Sequence, residues 1–256
     1  VNYGYAIGAS GVLAAMHRQD VAANNLANIN TVGFKLDVGA TVPREAARVE
    51  DHLFHLPSNK LLERLGAGVL LAPTRTSFKQ GALQTTGNEL DVAIRGDGFF
   101  VVGSGRDGAQ DVRFTRDGRF VRGRDGYLVM AAGGAQVLDD NDRPIRLDPR
   151  QKVVIDGDGS VIQGGREIAR LGLADFADRR TLRKQGDNLF AASSPAGRVR
   201  AAGQVVQHAV ENSAVDPVAA MMAVQDAANA ASASLRMMQM HDELAGRAIS
   251  SLGRVN

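Results

Sequence analysis

The chain contains no cysteine and no tryptophan among its 256 residues. The first absence excludes a disulfide scaffold, a thiolate metal site and a cysteine nucleophile. Aromatics of every kind make up only 5%, and two of the three tyrosines stand together at Tyr3 and Tyr5. That leaves no aromatic platform of the sort a carbohydrate-binding module needs. Charge is also nearly balanced, with 30 Lys and Arg against 28 Asp and Glu. A net charge of +2 is too small for an electrostatic nucleic-acid binder. No apolar run approaches the roughly 20 residues of a membrane span, so membrane insertion is not expected. The first residues lack the basic stretch, apolar block and cleavage site of a signal peptide.

What remains is an ordinary globular composition, 44% hydrophobic and 23% charged. The residues fall into three textures. Over 1–30 there is no proline, and a helix is predicted from Tyr5 to Asn28. Tyr5, Ala9, Val12, Met16, Gln19, Ala23 and Leu26 step by four and three and share one face. At the other end, Asp216-Pro217 is a helix start, a capping carboxylate followed by proline at the first helical position. Met221, Val224, Ala228, Ala231, Leu235, Met238, Asp242, Ala245, Ile249 and Leu252 continue the heptad stepping from there, and Gly253 is the predicted C-cap. Ser234 is predicted to lie off this stripe. A rod of that length spans about 55 Å at 1.5 Å per residue. The eleven alanines between 214 and 248 allow close helix approach. The spacing therefore predicts a coiled-coil seam; the plainer alternative is two helices packed on the middle domain.

The middle, 66–205, changes period. Asp-Gly recurs at 97–98, 107–108, 117–118, 125–126, 156–157 and 158–159, and Asp-Gly is a hairpin turn because it accepts positive φ. Between them lie short apolar or alternating runs: Leu90–Ile94, Phe99–Val102, Val112–Thr115, Arg119–Arg122, Tyr127–Met130, Val153–Ile155 and Ile168–Leu173. The predicted fold is α+β, a central antiparallel β domain of many short strands flanked by N- and C-terminal coiled-coil-forming helices. In domain terms, 1–34 and 206–256 form an assembly domain of terminal helices, 35–65 an extended linker with a short helix, and 66–205 the β domain.

Chemical motifs are weak. Gly103–Gly108 matches GxGxxG, but the strand-like Val112-Arg-Phe-Thr follows where a dinucleotide site needs a helix. Neither His52 and His55 nor His17, His208 and His241 sit in a metal-binding spacing, and the Asp-Gly repeats are too irregular for calcium. Gly8-Ala-Ser10-Gly11 is no nucleophile elbow. Arg113, Arg116, Arg119, Arg122 and Arg124 crowd a predicted hairpin around Asp117-Gly118 and read as a solvated face or an acidic partner's surface. No catalytic, cofactor-binding or metal residue is expected.

Asn24-Asn25-Leu26-Ala27-Asn28-Ile29-Asn30-Thr31-Val32-Gly33-Phe34-Lys35 resembles the NNLANxxTxGFK signature of bacterial flagellar rod and hook proteins. Thr76–Asn88 running into Leu90–Phe100 is similar to the family's QGxLxxTgnxLDxAIxGxGFF segment. Phe114-Thr-Arg-Asp-Gly-Arg-Phe120 resembles its TRxGxF strands, and Val210-Glu-Asn-Ser-Ala-Val-Asp216 its LExSNVd, with Ala214 where Asn is usual. Arg143–Leu147, Val153–Val161, Ile168–Phe176 and Gly186–Phe190 are most similar to proximal rod proteins, with distal ones next. Gln225–Ser232 departs from the family's usual segment.

The resemblance implies a structural subunit of the basal-body rod that crosses the periplasm, exported by the flagellar type III apparatus without a cleaved signal. Its partners would be further copies of itself and other rod proteins, and no cofactor is implied. The assembly residues would be Val12, Met16, Asn24, Asn25, Leu26, Asn28, Gly33, Phe34, Met221, Val224, Leu235, Met238, Ile249 and Leu252. The rival reading is a carbohydrate- or peptidoglycan-binding β module with helical appendages.

Overall fold

A computed structural model describes residues 3–50, 52, 54, 66–103, 111–193 and 197–252. The fold is α+β, with a long helix near each end and antiparallel strands between. The chain forms two compact units. One combines 1–27, 37–76 and 216–256, and is called the helical unit; the other combines 28–36 and 77–215, and is called the β unit.

In the helical unit, α1 runs Tyr3–Ala27, with no proline to break it. After it, β1 (Asp37–Pro43) and a short α2 (Ala47–Glu50) occupy part of the expected linker. β1 pairs antiparallel with β2 (Val69–Thr76), from Asp37 opposite Thr76 to Pro43 opposite Val69, through a bulge between Val38 and Ala40. A two-stranded ribbon is marginal alone. α1 supports it, with Val21 and Arg18 placed to touch a Cβ built on Gly39 at 3.7 Å. The C-terminal helix α3 spans Pro217–Leu252. Asp216 Oδ1 accepts from the backbone N–H of Val218 at 2.8 Å and Ala219 at 3.1 Å, while Pro217 has no N–H to satisfy. Such a cap contributes about 1 kcal/mol. Gly253, the predicted C-cap, lies outside the described residues.

The β unit is organised around β5 (Phe99–Gly103), whose five residues are all buried. An apolar run with no polar alternation marks a strand covered on both faces, and its side chains alternate between two cores. Phe100 and Val102 join Val92, Ile94, Phe120, Leu128, Met130 and Val161 on one side. Phe99 and Val101 join Phe114, Leu138, Phe176 and Phe190 on the other. Phe78, Phe99, Phe176 and Phe190 meet at centroid separations of 5.4–6.4 Å. Each fully buried phenylalanine contributes roughly 1.5–3 kcal/mol.

In the largest sheet the strand order is β14 (Leu182–Lys184), β15 (Leu189–Ala192), β6 (Val112–Thr115), β5, β9 (Gln136–Val137), β8 (Leu128–Met130), β7 (Phe120–Arg122). β13 (Leu173–Phe176) pairs with both β5 and β16 (Arg198–Arg200). A three-stranded sheet holds β10 (Val153–Ile155), β11 (Ser160–Gln163) and β12 (Arg166–Arg170). Two further pairs join β17 (Gln204–Gln207) to β4 (Val92–Arg95), and β18 (Ala209–Glu211) to β3 (Leu83–Thr85).

The Asp-Gly turns divide into two kinds. Asp125-Gly126 closes the β7–β8 hairpin, and 156–159 closes β10–β11, with Gly126 and Gly159 at φ +81° and +88°. Asp97-Gly98 and Asp117-Gly118 close no hairpin, because β4 does not pair with β5, nor β6 with β7. There glycine serves close approach. A Cβ on Gly118 would lie 1.6 Å from the Val92 carbonyl oxygen. Asp107-Gly108 and most of the GxGxxG stretch fall outside the described residues.

Candidate assembly surface and a buried charge node

α1 and α3 pack against each other through glycines. A Cβ built on Gly4 would meet the His241 ring at 2.5 Å, one on Gly8 Met238 Cγ at 2.5 Å, and one on Gly11 Ser234 Oγ at 3.0 Å. Numbers rise along α1 as they fall along α3, so the pair is antiparallel. Among the covered positions of α3, Ala220, Val224, Ala227, Ala231, Ser234, Met238, His241 and Ala245 form a heptad of 4-3 steps, with half-buried Ala228 and Ala230 beside it. Four of the ten positions of the predicted stripe, Val224, Ala231, Met238 and Ala245, belong to it. Ser234 does as well, contrary to expectation, because a small hydroxyl fits against Gly11 where a leucine would not. We expect Gly8→Val to separate the helices, since the added branch meets the Met238 stem rather than a free chain end. Hydrogen exchange by mass spectrometry across 5–20 and 225–245 checks this; unchanged protection would contradict it.

Several other predicted positions turn outward. Leu235 is 48% exposed, Met221 62%, Met16 51% and Ile249 72%. Val12 and Leu26 are half-buried and Asn24 is exposed. Leu252 is the last helical residue. Around α3, Met221, Leu235 and Ile249 lie on one flank of the packed heptad, and Met237, Met240 and Leu244 on the other, while Met222 stands at the start of the outward face. Between the flanks, opposite α1, runs a polar stripe of Gln225, Asn229, Ser232, Arg236, Gln239, Glu243 and Arg247. Of the large hydrophobic side chains exposed among the described residues, all but Val121, Val154, Ile168 and Val199 belong to the helical unit.

Asn25 is buried and acts within the helical unit. Its Nδ2 donates to the Asp37 carbonyl at 2.7 Å and its Oδ1 accepts from the Asp37 N–H at 2.9 Å. Asn28, Gly33 and Phe34 belong instead to the β unit. Asn28 forms the turn after α1, its carbonyl accepting from Thr31 N–H and its side chain from Thr31 Oγ1.

Gly33 and Phe34 lead to the feature that residue-by-residue reading missed. Lys35 is wholly buried, and its Nζ donates to Glu211 Oε1 at 2.5 Å and to the Lys79 carbonyl at 2.7 Å. Glu211, equally buried, accepts from Arg116 Nη1 at 3.0 Å and from the Gly81 N–H at 2.8 Å. Arg116 also donates to the Gly96 carbonyl at 2.8 Å and lies over the Phe99 ring. Gly33 N–H donates to the Glu211 carbonyl at 2.7 Å. Its φ of +71° and its approach to the Arg116–Asp117 peptide, 2.5 Å from a built Cβ, both demand glycine. Lys184 Nζ stands 4.2 Å from the centre of the Phe34 ring, and Asn188 holds the Val32 carbonyl at 2.8 Å. Burial pushes the Lys35 ammonium and the Arg116 guanidinium below their ordinary values, and the Glu211 carboxylate opposes that shift in both.

The predicted arginine face is thereby corrected. Arg116 is 3% exposed and belongs to this node. Arg119 pairs with buried Asp117, whose hydrogen bond raises the guanidinium's pKa, and Arg113 pairs with Asp111. Each node residue stood within a quoted motif: Gly33-Phe34-Lys35, Gln80-Gly81, Thr115-Arg-Asp-Gly118 and Val210-Glu211. What the motifs conceal is that the four segments meet. Among the described residues no cluster of His, Asp and Glu has the arrangement of a metal site, and no helix is long and apolar enough to cross a membrane.

The segments that meet in the node are those whose motifs resemble the axial flagellar proteins, and comparison with known sequences identifies that class. Residues 6–35 match the family described as "Flagella basal body rod protein", and 93–163 that described as "Flagellar hook protein FlgE/F/G D1 domain". The chain is 34% identical over 252 residues to the flagellar basal-body rod protein FlgF of Caulobacter vibrioides, covering 98% of each. It is 31% identical over 265 residues to the basal-body rod protein FlgG of Agrobacterium fabrum, covering 94% of this chain and 95% of that one. FlgF of Mesorhizobium japonicum is 32% identical over 247 residues, 95% of each. The chain belongs to the flagellar basal-body rod protein family.

Proposed function

We propose that this chain is a structural subunit of the bacterial flagellar basal-body rod, located in the basal body and not an enzyme. Copies self-associate through α1 and α3, with each other and with other rod proteins, into a hollow axial tube that transmits torque across the periplasm. The subunit reaches that site through the type III export apparatus without a cleaved signal. Among subtypes we favour the kind its relatives called FlgF represent, in line with the sequence likeness to proximal rod proteins.

The observation that supports assembly is the concentration of exposed apolar side chains on the helical unit. Isolated exposed hydrophobics are ordinary, but contiguous ones on both flanks of a long helix mark a contact surface. A polar stripe between two apolar flanks suits a helix with a neighbour on either side. Leu235→Asp on one flank is expected to abolish polymerisation and motility, while Ser232→Asp on the polar stripe assembles nearly normally. An unpaired carboxylate at a packed contact costs roughly 2 kcal/mol or more, repeated in every subunit. Motility plates and electron microscopy of basal bodies read the outcome. A Leu235→Asp strain that swims like wild type contradicts the proposal.

A further inference from the structure

The arginine cluster singled out in the sequence disperses on folding, and one of its members, Arg124, joins a different cationic surface in the β unit. The three-stranded sheet β10–β11–β12 turns Val153, Ile155, Val161 and Gln163 inward. Its outer face carries Val154, Ile162 and Ile168, with Val154 49% and Ile168 43% exposed. Two of the four large hydrophobics exposed in this unit are therefore on one small sheet face. Around them stand Arg124, Arg146, Arg150, Lys152 and Arg166, all exposed and none paired with a carboxylate among the described residues.

The relief of this face is built rather than incidental. Two adjoining clefts of about 720 and 560 Å³ share Asp148, Gln163 and Ile168 in their walls. Buried Gln163 fixes the ridge between them. Its Oε1 accepts from Asp148 N–H at 2.9 Å, and its Nε2 donates to the carbonyls of Asp148 and Gln151 at 3.1 and 3.2 Å. The lining carboxylates are Asp125 and Asp148, and Asp148 is already engaged by Arg150 N–H and Gln151 Nε2. Positive charge thus exceeds negative around an apolar centre.

We propose that this face docks an acidic polypeptide segment carrying apolar side chains, supplied by another protein. Unpaired guanidinium forks suit carboxylates, and the valine and isoleucines offer contact that a fully hydrated polyanion does not use. The excess charge steers the encounter, and the apolar centre retains the partner.

The test titrates the full-length protein into a fluorescein-labelled twelve-residue peptide of alternating Glu and Leu, read by anisotropy, with poly-Glu and polygalacturonate as competitors. Binding that weakens with salt is expected, together with a loss of at least about tenfold in affinity for Arg146→Glu with Arg166→Glu. Arg146→Gln with Arg166→Gln should lose less, and supplies the reading if the reversal misfolds. Ile168→Ser should weaken the Glu-Leu peptide while leaving poly-Glu unchanged, and Arg200→Glu, on another face, should change neither. Absence of binding overturns the proposal, as does equal binding by wild type and both double variants. Competition by polygalacturonate as strong as by the peptide would assign the face to an anionic glycan and overturn it too.

Discussion

Glu211→Ala is expected to destabilise the β unit by about 3–5 kcal/mol, the range for leaving a buried charge without its partner. In a unit of this size that lowers the unfolding midpoint by roughly 6–20 °C. Among the described residues its carboxylate is the one anion contacting the two buried cations, Lys35 and Arg116, and it also accepts the Gly81 N–H. Removing it leaves two buried cations with carbonyl acceptors but no counter-charge, and takes away the acceptor of the Gly81 N–H. Lys35→Met should cost much less, because the remaining Arg116–Glu211 pair is balanced and a methionine fills a lysine's volume. Glu167→Ala removes a carboxylate from an exposed pair with Arg170 and should change stability by less than about 1 kcal/mol. Denaturant titration with hydrogen exchange on 99–103 reads the β unit alone. If Lys35→Met and Glu211→Ala prove equally harmful, the node acts by packing and not by charge.

Gly118→Ala should be of similar severity for an unrelated reason. The new methyl would sit 1.6 Å from the Val92 carbonyl oxygen and 3.1 Å from the Phe100 ring. The backbones of residues 92 and 118 are themselves joined, with Val92 N–H donating to the Gly118 carbonyl at 3.0 Å. Relief requires that bond to open and two wholly buried core residues to move. A loss above about 4 kcal/mol follows from strain of this kind. Gly87→Ala is the contrast, because a Cβ there meets nothing within 4 Å and φ is not positive. It should alter stability by no more than about 0.5 kcal/mol. The same exchange measurement compares the two, and a Gly118→Ala protein as protected as wild type would refute the contact.

Local signals carried much of this architecture. Asp216-Pro217 starts a helix in the sequence and in the structure, because a cap needs only three or four neighbouring residues. The Phe99–Val102 run reads as a strand for similarly local reasons, although its burial on both faces emerges only in the fold. Arg116 was not legible. Nothing nearby distinguishes it from Arg113 or Arg119, and its burial depends on Glu211 arriving from far along the chain. The phase of α3 failed to declare itself for a subtler reason. Two heptads share Val224, Ala231, Met238 and Ala245; one is completed by Met221, Ala228, Leu235, Asp242 and Ile249, the other by Ala220, Ala227, Ser234 and His241. Hydrophobicity favours the first, but helix contact across glycines selects small side chains, so the intramolecular face takes the second. The β1–β2 ribbon escaped notice since its strands lie on either side of 44–68 and carry prolines at Pro43 and Pro73.

The node also sets a clock. Lys35 and Glu211 are separated by 176 positions, and contacts that far apart are late to form because the intervening chain must first be gathered. A chain emerging with its amino end first, from a ribosome or from any narrow channel, has both buried cations long before it has their carboxylate. Until residue 211 is free, the segment around Lys35 has no stable interior to enter and stays pliable. Closure of the β unit therefore reports that the chain has come through at least as far as Glu211.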